Sequence, residues 1–178
     1  MASSWTHAAT AVATAALLAP RQSPRLTWTA IAVAAVVLDV DALPRIWGGG
    51  DIALLGGHRA LTHSLAFALF TGILLAFGIG CRGFPRWRLA AVLAIAVATH
   101  AGLDALTSYG EGIQLLAPFS DARFRSSWQP LGGGIARDTA AFFMACLLAR
   151  AILKRRRLPL PALLDPPFLR PPAGTAHD

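Results

Sequence analysis

The chain has 178 residues, of which 55% are hydrophobic and 14% charged, with a mean hydropathy of +0.54 and a formal net charge of +7. This composition excludes a water-soluble domain, because apolar runs of about 17 to 25 residues suit an α-helix crossing roughly 30 Å of hydrocarbon. It also makes nucleic acid an unnecessary partner, since basic runs beside apolar helices attract anionic lipid head groups instead. The expectation is an all-α, polytopic membrane protein with about five transmembrane helices, its membrane-embedded domain spanning residues 1–157.

The first apolar segment, Thr6 to Ala19, is short and alanine-rich and carries His7 near its start. The first basic residue, Arg21, follows the stretch instead of preceding it, so the segment reads as a helix and not as a cleaved signal peptide. The second runs from Leu26 to Leu43 and is interrupted late by Asp39 and Asp41. Each large aliphatic there contributes about −0.3 to −0.6 kcal/mol to insertion, whereas a central aspartate costs about 2.5 to 3.5 kcal/mol. The two carboxylates therefore belong near the interface. Two positions apart, they diverge by about 200° on an ideal α-helix. Both reach one site only if the helix frays or ends there, which Pro44 and the Gly48-Gly49-Gly50 run permit.

The third segment is Leu61 to Gly80. His58 and His63 are five positions apart, so His58 precedes the helix, and Thr62 and Ser64 flank His63, where their hydroxyls can fix its ring. In the fourth, Leu89 to Leu106, His100 and Asp104 stand four apart, stacked on one helix face at a spacing that lets imidazole and carboxylate chelate one ion. The stretch from Thr107 to Gly134 carries Phe119, Phe124 and Trp128 among Arg123 and Arg125. That mixture suits an interfacial loop lying beside head groups and covering a site, with Arg123, Arg125 and Trp128 as substrate contacts. Glu111 lies in the same loop, and no spacing pairs it with the histidines.

The fifth segment, Ile135 to Leu153, ends on the basic run Lys154 to Arg157. Beyond it, residues 158–178 are proline-rich and read as a mobile tail in which His177 is inert. Cys81 falls in a turn and Cys146 inside the fifth segment, so both read as free thiols. There is no internal repeat, phosphate-cradling glycine loop or nucleophile elbow.

Alternating the five helices places nine basic residues on one side (Arg21, Arg25, Arg82, Arg86, Arg88 and Lys154 to Arg157) and five on the other (Arg45, Arg59, Arg123, Arg125 and Arg137). The positive-inside rule then puts the amino terminus outside and the carboxy terminus in the cytoplasm. His7, Asp39, Asp41, His58, His63, His100 and Asp104 all fall at the outer ends of their segments. Ionisable groups at the edge of hydrocarbon are costly, and their joint placement argues for a shared metal or proton site.

These residues also resemble a family. His58-Arg59-Ala60-Leu61-Thr62-His63-Ser64 is similar to the HRGxTHS signature of the bacterial inner-membrane metal-dependent hydrolases of YdjM type. Leu38-Asp39-Val40-Asp41 resembles their PDxD element, and Thr6-His7 their amino-terminal TH. The stretch from His100 through Asp104 and Thr107 resembles HxxxDxxT, Leu115 to Phe124 resembles LLxPFSxxRY, and Trp128-Gln129-Pro130 resembles WRP. The order covers most of residues 6 to 130. Leu38 stands where the family has proline, Ala60 where it has glycine and Gln129 where it has arginine. The resemblance implies a bacterial inner-membrane location, the helical fold and a metal-dependent hydrolase; a looser similarity of the His and Asp layout reaches helical zinc phospholipases and nucleases.

Imidazole and carboxylate ligands together suit zinc, with manganese or iron as alternatives, and seven candidates exceed what one ion needs. Either two ions are held or some residues orient ligands or move protons. A bound divalent ion lowers the pKa of its water to roughly 7, which is the chemistry of ester and phosphoester hydrolysis. Asp41 is then the first choice for general base, and Arg59 can grip an anionic group through its planar fork. A site at membrane level favours a lipid-linked or amphipathic substrate. The rival expectation is a metal or proton transporter or relay, which needs polar groups continuing across the bilayer; the inner halves of these segments offer almost none.

Overall fold

The computed structural model describes residues 3–21, 23, 25–80, 84–108, 110–131 and 134–158, with the side chain of Leu54 excepted. Cys81, Arg82, His177 and nearly all of the proline-rich tail lie outside the described residues. The five apolar segments fold as five α-helices: α1 Ser4–Leu18, α2 Arg25–Val37, α3 Leu65–Ile79, α4 Arg86–Ala105 and α5 Ile135–Arg156. No strand forms among the described residues. Two isolated bridges, Thr107 to Leu131 and Ile113 to Phe124, fold the loop after α4 back on itself.

Local signals set the boundaries. The side chain of Ser3 caps α1 by accepting from the Thr6 amide, and Pro20 follows its end. α4 begins directly after Pro85, where a missing amide is harmless. The end of α1 is closed from elsewhere in the chain, since Arg156 Nη1 donates to the carbonyls of Ala16 at 2.7 Å and Leu17 at 2.9 Å. A basic residue that fits the positive-inside pattern thereby also satisfies carbonyls that the helix leaves open.

After Val37 the second helix tightens into a ten-residue 3₁₀ segment, Leu38–Trp47, which contains Pro44 and stops at Gly48 in the left-handed conformation (φ 75°). Runs of 3₁₀ longer than three or four residues are uncommon. This one begins one residue before Asp39, so the change in winding falls where two carboxylates must be aimed.

α1 packs against α2, α4 and α5, while α4 also contacts α2 and α3. The shared core is mostly alanine with a few large residues: Ala11, Ala15 and Ala16 of α1, Trp28 and Ile31 of α2, Leu89, Leu93 and Ala96 of α4, and Ala149 and Leu153 of α5. Small residues let backbones approach closely where lipid offers no hydrophobic drive for association. One close approach is at Gly72 of α3, where an added Cβ would stand 2.6 Å from the Ala90 carbonyl oxygen and the Ala94 nitrogen of α4.

The outer surfaces carry Leu69, Phe70, Ile73, Leu74 and Phe77 on α3 and Phe143, Met144, Leu147 and Leu148 on α5, all exposed. In water such patches mark an interaction surface or an aggregation hazard; in a bilayer they face their solvent. Two helices, Arg25–Trp47 and Arg86–Ala105, are long and apolar enough to cross a membrane by length and composition. The expectation of about five spans is thus met in part. α1 and α3 have only 15 residues each, and α5 carries Arg137, Asp138 and Arg150 between its ends.

Candidate metal centre

Four stretches meet at one end of the bundle: the start of α1, the 3₁₀ segment after α2, the short 3₁₀ turn Leu61–His63 before α3, and the end of α4. Asp39 Oδ1, His63 Nε2, His100 Nε2 and a carboxylate oxygen of Asp104 lie within 4.8 Å of one another. His63 Nε2 is 3.0 Å from His100 Nε2, 3.4 Å from Asp104 Oδ2 and 3.6 Å from Asp39 Oδ1, and Asp39 Oδ1 is 3.3 Å from His100 Nε2. Donors that share a tetrahedral ion through bonds of about 2.0–2.1 Å stand about 3.3–3.4 Å apart. These four spacings bracket that value.

The ring orientations agree. His100 Nδ1 lies 2.6 Å from the Ala35 carbonyl, which can only accept, so this nitrogen carries the proton and Nε2 presents a lone pair. Thr62 donates its hydroxyl hydrogen to Asp41 Oδ2 and accepts from His63 Nδ1 at 2.9 Å, which leaves His63 Nε2 with a lone pair as well. Two lone pairs facing each other at 3.0 Å repel unless a cation lies between them. Asp39 Oδ1 and Asp104 Oδ1 are buried without a hydrogen-bond partner among the described residues, a state that is costly in a protein interior. The donor set and its unsatisfied atoms therefore fit a divalent ion.

The other three histidine and aspartate candidates surround this group without joining it. The His7 ring stacks on that of His100 with centroids 3.7 Å apart, and its Nε2 is 3.5 Å from Asp104 Oδ1. The start of α1 is pinned by Asp138 of α5, whose Oδ1 accepts from the Ser3 amide at 2.8 Å and the Thr6 hydroxyl at 3.0 Å. Asp41 is fully buried and stands behind the ligands: Oδ2 accepts from Thr62, and Oδ1 lies 2.8 Å from His58 Nδ1. His58 Nε2 in turn has no hydrogen-bond partner among the described residues.

Arg59 connects the group to a surface pocket. It holds a positive φ of 67°, rare for a residue with a side chain, and its Nε is 3.0 Å from Asp104 Oδ2 while Nη2 donates to Thr107 Oγ1 at 3.3 Å. The pocket, of about 410 Å³, is lined by Arg45, Asp51, His58, Arg59, Glu111 and Arg123 together with Gly57 and Gly110. At its rim the Arg45 guanidinium hydrogen-bonds to Asp51 and holds that carboxyl below the usual carboxylate range.

The sequence profile of the YdjM inner membrane protein family matches residues 1–163. The chain belongs to the YdjM inner membrane protein family. A curated relative, the inner membrane protein YbcI of Escherichia coli (strain K12), is 37% identical over 110 residues, a stretch covering 60% of this chain and 61% of YbcI. The match thus spans about three fifths of that relative. No solved structure matches.

Within this YdjM family protein, the structure brings all seven histidine and aspartate candidates into one cluster and divides them. Four share a point, and His7, Asp41 and His58 lie around it. The expected helper Ser64 does not orient His63; it caps α3 by accepting from the Phe67 amide at 3.1 Å and donates to the Leu61 carbonyl. Of the expected substrate contacts, Arg123 lines the pocket. Arg125 Nη2 instead donates to the Ser108 carbonyl at 2.9 Å, and Trp128 stands in the open. Arg45, Asp51, Gly57 and Gly110 were not visible as site residues in the sequence. The only signals were the glycines around Asp51 and Gly110, which mark a backbone free to wrap a cavity.

Proposed function

We propose that this protein is a membrane-bound metal-dependent hydrolase that cleaves an ester or phosphoester of a lipid-linked or amphipathic substrate at the outer face of the bacterial inner membrane. The observation that carries this reading is the convergence of Asp39, His63, His100 and Asp104 at ion-sharing distances. Zinc suits two imidazoles and two carboxylates when its sphere expands to five, and manganese or iron suits them in six. When bound, such an ion supplies Lewis-acid stabilisation of developing charge and an acidified water.

The chain's own residues do the rest. Thr62, Asp41 and the Ala35 carbonyl hold the two imidazoles in the ligand tautomer. Asp41 Oδ1 accepts a hydrogen bond from His58 Nδ1–H, which turns the Nε2 lone pair away from the carboxylate; His58 Nε2 is then the group that takes a proton, and Asp41 orients it. Arg59 touches Asp104 on one side and the pocket on the other, placing positive charge where an anionic substrate group enters.

A transporter or proton relay is disfavoured by the core below the site. Among the described residues every buried ionisable side chain sits at the cluster end; away from it the buried residues are alanine and large apolar residues, with only the hydroxyls of Ser23 and Thr27 near the start of α2 as polar side chains besides the Trp28 indole.

Elemental analysis of detergent-purified protein tests the reading. Wild type is expected to hold zinc, manganese or iron stoichiometrically, and folded His63→Ala and Asp104→Ala to lose it. A wild-type protein that stays metal-free after reconstitution attempts sinks the hydrolase reading and returns the cluster to a proton or structural role.

A further inference from the structure

The pocket beside the metal centre has a graded wall. Arg59 and His58 form its floor, with side chains 4% and 8% exposed, and Arg45 and Glu111 stand at the rim, 51% and 87% exposed. Three guanidinium groups line it against two carboxylates. Asp51 is already spent, bonded through both oxygens to Arg45 and through one to the His58 amide at 3.2 Å. Glu111 reaches Arg123 Nε only at 3.9 Å from its exposed position, too long for a hydrogen bond. Arg123 Nη1 donates to the Gly112 carbonyl at 3.2 Å, so an incoming anion with several oxygens meets the rest of this guanidinium and displaces only the loose Glu111 contact.

Backbone geometry keeps the floor open. Gly110 has a φ of +72°, and a Cβ built there would stand 3.1 Å from Arg59 Nη1, in the space by which the guanidinium reaches the pocket. Gly57, at a φ of +82°, lies in the wall beside Asp51, where the left-handed backbone and not space favours glycine, since an added Cβ would meet Asp51 at 4.0 Å. Arg59 itself is held at its positive φ while its carbonyl accepts from the Gln114 amide at 2.9 Å, so the loop after α4 fixes the conformation of this arginine. Uncommon backbone conformations of this kind gather at ligand clamps.

We infer that this pocket is a phosphate subsite, and that the substrate is a phosphorylated molecule whose phosphate lies on Arg59 and Arg123 next to the metal centre. The inference rests on the hydrolase reading and narrows it. A neutral carboxylic ester offers the guanidinium forks no anion, whereas phosphate oxygens match their planar, paired donors. Because Arg59 also touches Asp104, the subsite and the metal centre share a residue, and a phosphate held in one is adjacent to the other.

Calorimetric titration of inorganic phosphate into metal-loaded, detergent-purified full-length protein tests this. Wild type is expected to bind phosphate. Arg123→Ala is expected to weaken binding at least tenfold, and Gly110→Ala, which removes no charge but crowds Arg59, to weaken it as well. Arg88→Ala, which deletes the same charge at the far end of α4, is expected to leave it unchanged. Metal content, measured on each sample, stays at the wild-type level throughout. Stoichiometric metal with no phosphate binding, or equal weakening by Arg123→Ala and Arg88→Ala, overturns the subsite and leaves the hydrolase reading standing; absence of metal from the wild type overturns the hydrolase reading first. Competition separates the sources of the phosphate. Stronger displacement by dihexanoyl phosphatidic acid assigns the subsite to a lipid phosphate, stronger displacement by glycerol 3-phosphate to a soluble one, and displacement by neither counts against it.

Discussion

His63 is oriented through a hydroxyl rather than by a carboxylate directly, because Thr62 stands between its Nδ1 and Asp41. Thr62→Val keeps the shape and removes both hydrogen bonds, leaving the buried Asp41 Oδ2 without its donor. Metal affinity is expected to fall about 10- to 100-fold, the usual effect of deleting a group that orients a ligand. Thr62→Ser is expected to restore most of it, as read by competition with a chromophoric chelator. The sequence placed Thr62 and Ser64 symmetrically about His63 and could not separate them. The structure does so by the direction of the chain: the turn Leu61–His63 aims Thr62 inward, and the residue that opens α3 is drawn to the helix amides instead. His100 and Asp104 were legible as a pair because four residues make just over one helical turn. His7 was legible as a candidate only through its joint placement with the other six; its stacking on His100 was not, since that depends on how α1 meets α4.

At the scale of elements, the 3₁₀ segment explains how two aspartates two positions apart serve one centre. At about 100° per residue they point about 160° from each other; at three residues per turn the separation falls to about 120°. One carboxylate can then face the ion while the other reaches behind His63. That the helix must change near Pro44 was readable from the sequence. That the tighter winding begins at Leu38 was not, because nothing local distinguishes Leu38 from the apolar residues before it. The contact between α3 and α4 lies below the two imidazoles, and at Gly72 it leaves no room for a Cβ. Gly72→Ala is expected to push these helices apart, destabilise the fold by about 1–3 kcal/mol and loosen metal retention together with it. Thermal unfolding followed by circular dichroism, with and without chelator, reads both; an unchanged transition would show that the helices separate at no cost.

For the whole molecule, the five apolar runs were enough to outline the bundle, since each run became one helix close to its expected ends, except that the α-helical part of the second stops at Val37, short of Leu43. The fastenings between distant parts were not readable: Asp138 on Ser3 and Thr6, Arg156 on the end of α1, and Arg45 with Asp51 at the pocket rim all depend on side chains meeting in space. The orientation deduced from arginine distribution is open to direct measurement. With Cys81 and Cys146 replaced by alanine, Phe119→Cys, on the exposed loop, is expected to react with an impermeant maleimide from outside the cell; reaction only after the cytoplasmic side is opened would invert the topology. The shortness of α3 bears on how a substrate arrives. Its 15 residues rise about 22 Å against roughly 30 Å of hydrocarbon. Were α3 to cross the bilayer, thinning on that flank would relieve the mismatch and would lower the surrounding head groups toward the level of His63 at the helix start. The protein is accordingly expected to unfold at higher temperature in bilayers of 14-carbon than of 18-carbon phosphatidylcholine, with the membrane itself carrying head groups down to the site.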